Sequence, residues 1–427
     1  MADASRETNS IRQFLIIWTG QAFSLLGSQL VQFALVWWLT ITTGSATVLS
    51  LATLAALLPQ ILLGPFAGAV VDRSSRRLIM IAADGFIAAV TLLLALLFWL
   101  HLASVWIVCL ILMVRSAGAA FHWPAMQAST TLMVPRRHLA RIGGLNQLLV
   151  GAAAVIIPPI GAWTMTVLPM QAIIAIDVVS AIPAIVPLLF IAVPQPLRRA
   201  DAAAPGAKPV SLWADMREGM RYILGWRALL ILVVIGVLIN MLIQSVGSLT
   251  PLLIMKHFQG GAAELGWWEA SLGFGAILGG LTLSLWGGFR RRIVTQMLAL
   301  TLGGAVLIGV GLAAPQYFPY TLAAVFVAGF LESFVMGVGG AIAQALIPPD
   351  LQGRVLSLIS SLTLGLAPFG LLIAGPFADT FGVQTWWILA SAVISVMGIV
   401  ALSIPSVAHI EDAVPPDKAP KPVEPAV

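Results

Sequence analysis

Charge is what this chain has least of. Only 9% of its 427 residues are Asp, Glu, Lys or Arg, while 59% are hydrophobic. A soluble chain carries roughly 25% charged residues. So little charge cannot cover a water-facing surface of this size. Cysteine is almost absent too. Cys109 stands alone, which excludes an intrachain disulfide and any cysteine-built metal site. The five histidines are dispersed, without HExxH or Cys/His spacing. No Walker loop occurs, so ATP is not expected to drive the protein directly, and no cofactor or metal is expected. The spacing Gly273-x-Gly275-x-x-x-Gly279 imitates a nucleotide loop. It lies in an apolar run with no strand before it, where close helix packing explains it.

What the chain has is long apolar runs. Phe14–Thr40, Val48–Val71 and Leu78–Leu100 are each nearly free of charge. About 20 apolar residues span a bilayer as a helix. Twelve such spans are expected: 14–40, 48–71, 78–100, 103–126, 142–165, 168–193, 228–255, 264–287, 293–313, 317–346, 355–378 and 384–405. The first is too long for a signal-peptide core and no small-x-small cleavage site follows it, so it is read as a retained helix. One longer polar segment breaks the series. The expected domains are a six-helix bundle at 1–193, a cytoplasmic linker at 194–227, a second bundle at 228–405 and a disordered tail at 406–427. Within the linker, Leu212, Met216, Met220 and Ile223 share a helical face, which predicts an amphipathic interfacial helix. The tail carries Pro415, Pro416, Pro420, Pro422 and Pro425.

Orientation follows from the basic residues. If the N-terminus is cytoplasmic, all 22 Lys and Arg fall on the cytoplasmic side except Lys256 and the intramembrane Arg115. That asymmetry is the positive-inside pattern, and it absorbs the net charge of +5 without nucleic acid. The tryptophan pairs Trp37/Trp38, Trp267/Trp268 and Trp386/Trp387 are expected near the outer ends, as an aromatic belt. The halves also look repeated. Pro135 and Arg141 recur as Pro348 and Arg354, an offset of 213 residues, and the same offset carries Arg77 to Arg290.

The segment between spans 2 and 3 runs Gly64-Pro65-Phe66-Ala67-Gly68-Ala69-Val70-Val71-Asp72-Arg73-Ser74-Ser75-Arg76-Arg77. It resembles the signature loop of the major facilitator superfamily, G-x-x-x-D-R/K-x-G-R-R/K, with Ser75 in place of a glycine. Gly64 and Gly68 offer a small-residue face for close helix contact. Asp72 at the membrane rim suits the positive end of a helix. The resemblance places that helix at the start of span 11, near Arg354. Gly64, Gly68, Asp72, Arg73, Arg76, Arg77 and Arg354 would then form a cytoplasmic latch; the plainer reading is a topology-setting basic loop.

Further runs resemble the macrolide-efflux branch of that superfamily. They include Trp18-Thr19-Gly20-Gln21, Arg115-Ser116-Ala117-Gly118-Ala119-Ala120-Phe121-His122 and Gly353-Arg354-Val355-Leu356. A related branch exports siderophores. The resemblance implies an all-α fold of twelve transmembrane helices in two six-helix bundles. It also implies a non-enzymatic, monomeric transporter of a bacterial inner membrane that exports a small molecule against protons. Export of a siderophore or other metabolite, or a non-transporting sensor or scaffold, are the alternatives.

Asp84, Arg115, Asp177 and Glu332 lie deep in expected spans. A charge at the bilayer centre costs at least about 2.5–3.5 kcal/mol on insertion scales, so each is a candidate in a proton or charge relay. The resemblance sets Arg115 and Glu332 on cavity-lining spans, and Asp84 and Asp177 on spans that form the outside of the N-terminal half. Alternatively, Arg115 is neutralised by Asp84 or Asp177 in a structural pair. Gln21, Gln32, Phe33, Phe121, Asn240, Gln244 and Gln344 are candidate substrate-cavity residues, with core packing as the plainer reading. Span 5, with Pro158 and Pro159, imperfectly resembles the Gly/Pro-rich antiporter motif; generic helix packing explains it equally well.

Overall fold

A computed structural model describes residues 2–195 and 212–412. Without water, every backbone amide must be satisfied within its own segment or in a closed barrel. These runs answer with helix throughout. In chain order the helices are α1 Ala2–Thr43, α2 Ala46–Arg73, α3 Arg76–Trp99, α4 Val105–Met133, α5 Leu139–Val167, α6 Met170–Phe190 and α7 Leu212–Gly225. There follow α8 Arg227–Lys256, α9 Ala262–Trp286, α10 Arg292–Leu312, α11 Phe318–Leu346, α12 Pro349–Phe381, α13 Val383–Ser403 and the short α14 Pro405–Ala408. Twelve of them, all but α7 and α14, are long and apolar enough to cross a membrane. No strand occurs among the described residues.

Serines start the helices where the sequence turns. Ser45, Ser75 and Ser104 accept hydrogen bonds from the amides of Val48, Leu78 and Ile107, occupying donors that a helix start leaves open. Several helices outrun the expected spans. α4 continues to Met133 rather than 126, and α12 begins at Pro349 rather than 355, so Gly353 and Arg354 are helical. A helix of 33 residues is about 50 Å long, well beyond a hydrocarbon core of about 30 Å. Apolar periodicity marks only the part inside lipid.

Contacts divide the chain into two compact units. One comprises Met1–Pro205, Gly247–Gly273 and Leu371–Val383; the other comprises Gly206–Val246, Phe274–Gly370 and Gln384–Val427. In the first, α1 packs on α5 and α6, α2 on α4, and α3 on both α4 and α6. Glycines permit the closest approaches. A Cβ on Gly20 would lie 1.9 Å from the Pro183 carbonyl oxygen, and one on Gly266 would lie 2.9 Å from that of Pro158. The Pro158 segment is thus a packing surface for α9. In the second unit, Gly275 and Gly279 press on the backbone of α11 at Phe326 and Phe330, as expected of a small-residue helix face.

Two expectations are corrected here. A Cβ on Gly64 or Gly68 would meet nothing within 4 Å among the described residues, so within the first unit these glycines face open space rather than a neighbouring helix. Nor do the tryptophan pairs form the belt. Trp386 and Trp387 are buried, donating to Ser245 Oγ and the Leu307 carbonyl, and Trp37 and Trp268 are buried as well. Of the six, Trp267 is exposed, and Trp99, Trp106 and Trp163 join it at the arginine-poor helix ends, which suits an interfacial position.

The expected amphipathic helix is α7, whose Ile223 is buried while Met216 is exposed. Glu218 on α7 accepts from Arg354 Nη1 at 2.5 Å, tying α7 to the start of α12. The prolines of the tail, and residues 196–211 of the linker, lie outside the described residues. Residues 409–412 are ordered: Glu411 accepts from the Ile293 amide and Asp412 lies 3.4 Å from Arg291, so this stretch caps α10.

Candidate functional site

The intramembrane charges of the first unit converge on one cavity. Gln21 and Ser28 are two turns apart on α1 and look the same way. Between them and α3, α4, α5 and α6 lies a space of about 270 Å³ lined by Asp84, His122, Asn146 and Asp177, among others. Asp177 is 3% exposed and accepts from three helices: Ser28 Oγ at 2.7 Å, Arg115 Nη2 at 2.6 Å and Thr91 Oγ1 at 3.3 Å. Asp84 accepts from Gln21 Nε2 at 2.8 Å, and His122 Nε2 lies 3.2 Å from its other oxygen. That imidazole nitrogen is close enough for charge attraction but not aligned for a hydrogen bond, and it is buried without another partner. Trp18 donates to Asn146 at 2.6 Å at the edge of the cavity.

From α3 and α6, Asp84 and Asp177 thus face the interior of the first unit. Asp84 and Asp177 are both buried. A carboxylate facing lipid would be costly, whereas here each meets donors from neighbouring helices. Of the two partners open to Arg115, Asp177 is the one it takes. Glu332 is half-buried on α11 and lines neither this cavity nor its counterpart in the second unit.

That counterpart measures about 280 Å³ and is lined by Asn240, Gln296, Met297, Val335 and Ile359, among others. Asn240 Oδ1 is buried there without a hydrogen-bond partner. Of the other tentative cavity residues, Phe33 packs against Gly161, and Gln344 is exposed. Gln32, Phe33, Phe121, Gln244 and Gln344 line neither cavity.

In the signature loop, two arginines are committed to the first unit itself. Arg76 is buried and donates to the Ala128 carbonyl at 3.0 Å. Arg77 donates to the carbonyls of Leu188 and Leu189, the open acceptors at the end of α6. Arg73 is exposed. The Asp72 side chain lies outside the described residues.

At the opposite helix ends a clasp appears that the motifs did not suggest. Asp379 on α12 accepts from Ser45 Oγ at 2.8 Å, the Ala46 amide at 2.7 Å and the Thr47 amide at 2.9 Å. It therefore caps α2 from another helix. A Cβ on Gly375, one turn earlier, would lie 2.7 Å from Thr47 Cα, so α12 sits directly on that first turn. Glu269 on α9 is a further intramembrane acid that sequence reading passed over; it is half-buried.

Residues 17–369 match the Major Facilitator Superfamily. The chain belongs to that superfamily. This major facilitator is 34% identical over 399 residues to macrolide efflux protein A of Streptococcus pyogenes, covering 93% of this chain and 97% of the relative. Over 415 residues it is 26% identical to the multidrug efflux pump Tap of Mycobacterium tuberculosis, covering 95% and 96% of the two chains. Among solved structures it resembles an inward-facing bacterial homologue of the human lysosomal transporter Spinster. There the TM-score is 0.70 at 14% identity, with 95% and 99% coverage; that likeness concerns the fold. The protein is thus a multi-pass membrane transporter and not an enzyme.

Proposed function

We propose that this transporter exports an amphiphilic, macrolide-like drug or natural product by proton antiport with alternating access. It would sit in a bacterial cytoplasmic membrane with both termini inside, act as a monomer and take no energy from ATP. The near full-length similarity to macrolide efflux protein A carries the reading. The buried charges of the first unit supply a place where protons could act. Asp84, Arg115, Asp177 and Glu332 are assigned to the charge relay. The latch at the cytoplasmic rim is assigned to Gly64, Gly68, Asp72, Arg73, Arg76, Arg77 and Arg354. Arg76 and Arg77 serve it by holding the ends of α4 and α6, and Arg354 by holding α7. For a neutral cargo, one elementary charge crossing 100 mV is worth about 2.3 kcal/mol, or roughly a fiftyfold gradient; a cationic cargo exchanged one for one moves no net charge and draws on the pH gradient alone.

The test is accumulation of a radiolabelled macrolide in cells expressing the protein, with and without a protonophore. Export by antiport lowers accumulation, and the protonophore restores it. Unchanged accumulation across a broad panel of drugs would refute the drug reading and turn attention to siderophores and metabolites.

A further inference from the structure

The two cavities form a natural comparison. The 213-residue offset read from Pro135 and Pro348 also relates their walls. It carries Asp84 to Met297, His122 to Val335 and Asn146 to Ile359, and each member of these pairs lines its own cavity. The volumes are nearly equal, at about 270 and 280 Å³. The offset also carries Arg115 to Ala328 and Asp177 to Ala390, both buried. The same architecture therefore closes around an uncharged cavity in one half and a charged cavity in the other. Packing does not require the charges.

Their arithmetic is unbalanced. From α1, α3, α4, α5 and α6, the titratable or charged side chains on the charged cavity, or bonded to its wall, are Asp84, His122, Asp177 and Arg115 among the described residues. Arg115 cancels Asp177 at 2.6 Å. Asp84 then has only Gln21, a neutral donor, and the misaligned His122. With a neutral imidazole the cavity holds one net negative charge; with an imidazolium it holds none. A buried uncompensated charge is costly, so the site favours the presence of one positive charge. Imidazole is the side chain whose charge ordinarily changes near neutral pH. At about 270 Å³ the space lies below the roughly 300–1,000 Å³ of drug-sized sites. It has room for water or an ammonium group beside Asp84.

We propose that Asp84 and His122 form the proton-exchange site. His122 Nε2 takes one proton from a hydronium ion in the cavity, forming a new N–H bond and leaving water. It returns that proton to water when an ammonium group of the cargo takes its place beside Asp84. One proton is thus exchanged for one positive charge, and within the relay Asp177 and Arg115 hold their mutual pairing and brace the site while Asp84 and His122 exchange. The proposal rests on the antiport reading above.

Two measurements test it. The first needs no cargo: the infrared difference spectrum of purified protein between mildly alkaline and mildly acidic buffer. A histidine protonation signal should be lost in His122→Gln and shifted in Asp84→Asn. Identical spectra for wild type and both variants would overturn the proposal. The second uses proteoliposomes, radiolabelled erythromycin and an imposed gradient of about one pH unit, for which one-for-one exchange gives about tenfold accumulation. The double variant Asp84→Met, His122→Val installs the residues of the uncharged cavity, and its ratio of gradient-driven to gradient-free accumulation should fall to about one. Wild-type vesicles that ignore the gradient, beside a normal protonation signal, would sink the antiport reading. A double variant or His122→Gln that still couples would sink the Asp84–His122 site alone. Failure of every variant to fold would assign the pair a structural role and overturn the proposal as well.

Discussion

Replacing Asp177 by asparagine removes one charge from a pair that is almost wholly enclosed. The Arg115 and Asp177 side chains are 10% and 3% exposed, and their contact is 2.6 Å. The substitution keeps the shape of the site and strands the guanidinium, whose Nη1 already lacks a hydrogen-bond partner. Breaking a buried pair on one side costs about 3–5 kcal/mol. At about 2–4 °C per kcal/mol for a unit of this size, the apparent melting temperature should fall by roughly 6–20 °C. Removing both charges behaves differently. Arg115→Met with Asp177→Leu should lie within about 1 kcal/mol of wild type, since a whole pair exchanged for apolar side chains is often neutral. The second unit already manages with Ala328 and Ala390 at these places. The assay is built into the chain: Cys109, its one cysteine, is buried. A fluorogenic maleimide reacts with it only on unfolding, so its rate during heating reports the transition. A shift below about 2 °C for Asp177→Asn, under 1 kcal/mol, would mean that water reaches Arg115 and that the enclosure argued here is wrong.

Gly20→Ala should abolish folded protein, because its Cβ would sit 1.9 Å from a backbone oxygen of α6. Gly64→Ala, with open space before it, should leave folded yield unchanged; fluorescence-detected size exclusion compares the two. Asp379→Ala should weaken the start of α2 by about 0.5–2 kcal/mol, the usual worth of a cap. Faster hydrogen exchange at the Ala46 and Thr47 amides would register it, and unchanged protection would refute the cap. Asp72→Asn should abolish protonophore-sensitive efflux of labelled erythromycin while leaving membrane expression intact; full efflux by that variant would remove Asp72 from the latch.

The helices were legible because lipid enforces a simple rule. Twenty apolar residues leave no option but a helix, and twelve such runs cannot hide. Their ends were harder to read, since Gln127, Ser129 and Thr130 continue α4 after its apolar signal has faded. The buried acids announced themselves by cost, but which donors each would meet did not follow from position on a span. His122 was passed over because a single histidine carries no pattern. Its meaning comes from Asp84 on the next helix. One signal was nonetheless available: the repeat offset sets it against Val335. Asp379 offered none, because its partners lie 332 to 334 residues away in the chain and ordinary helix-end acids look the same.

The Asp379 clasp has a consequence for reversibility. An apolar seam resists opening in proportion to the surface it exposes, and it closes again without choosing a register. This junction joins a carboxylate to the hydroxyl and two amides at a helix start. Water can satisfy all four groups when the junction opens. Separation therefore costs little in solvation, yet re-formation is possible in only one alignment. Such a fastening can be cycled many times and still return α12 to the same place on α2.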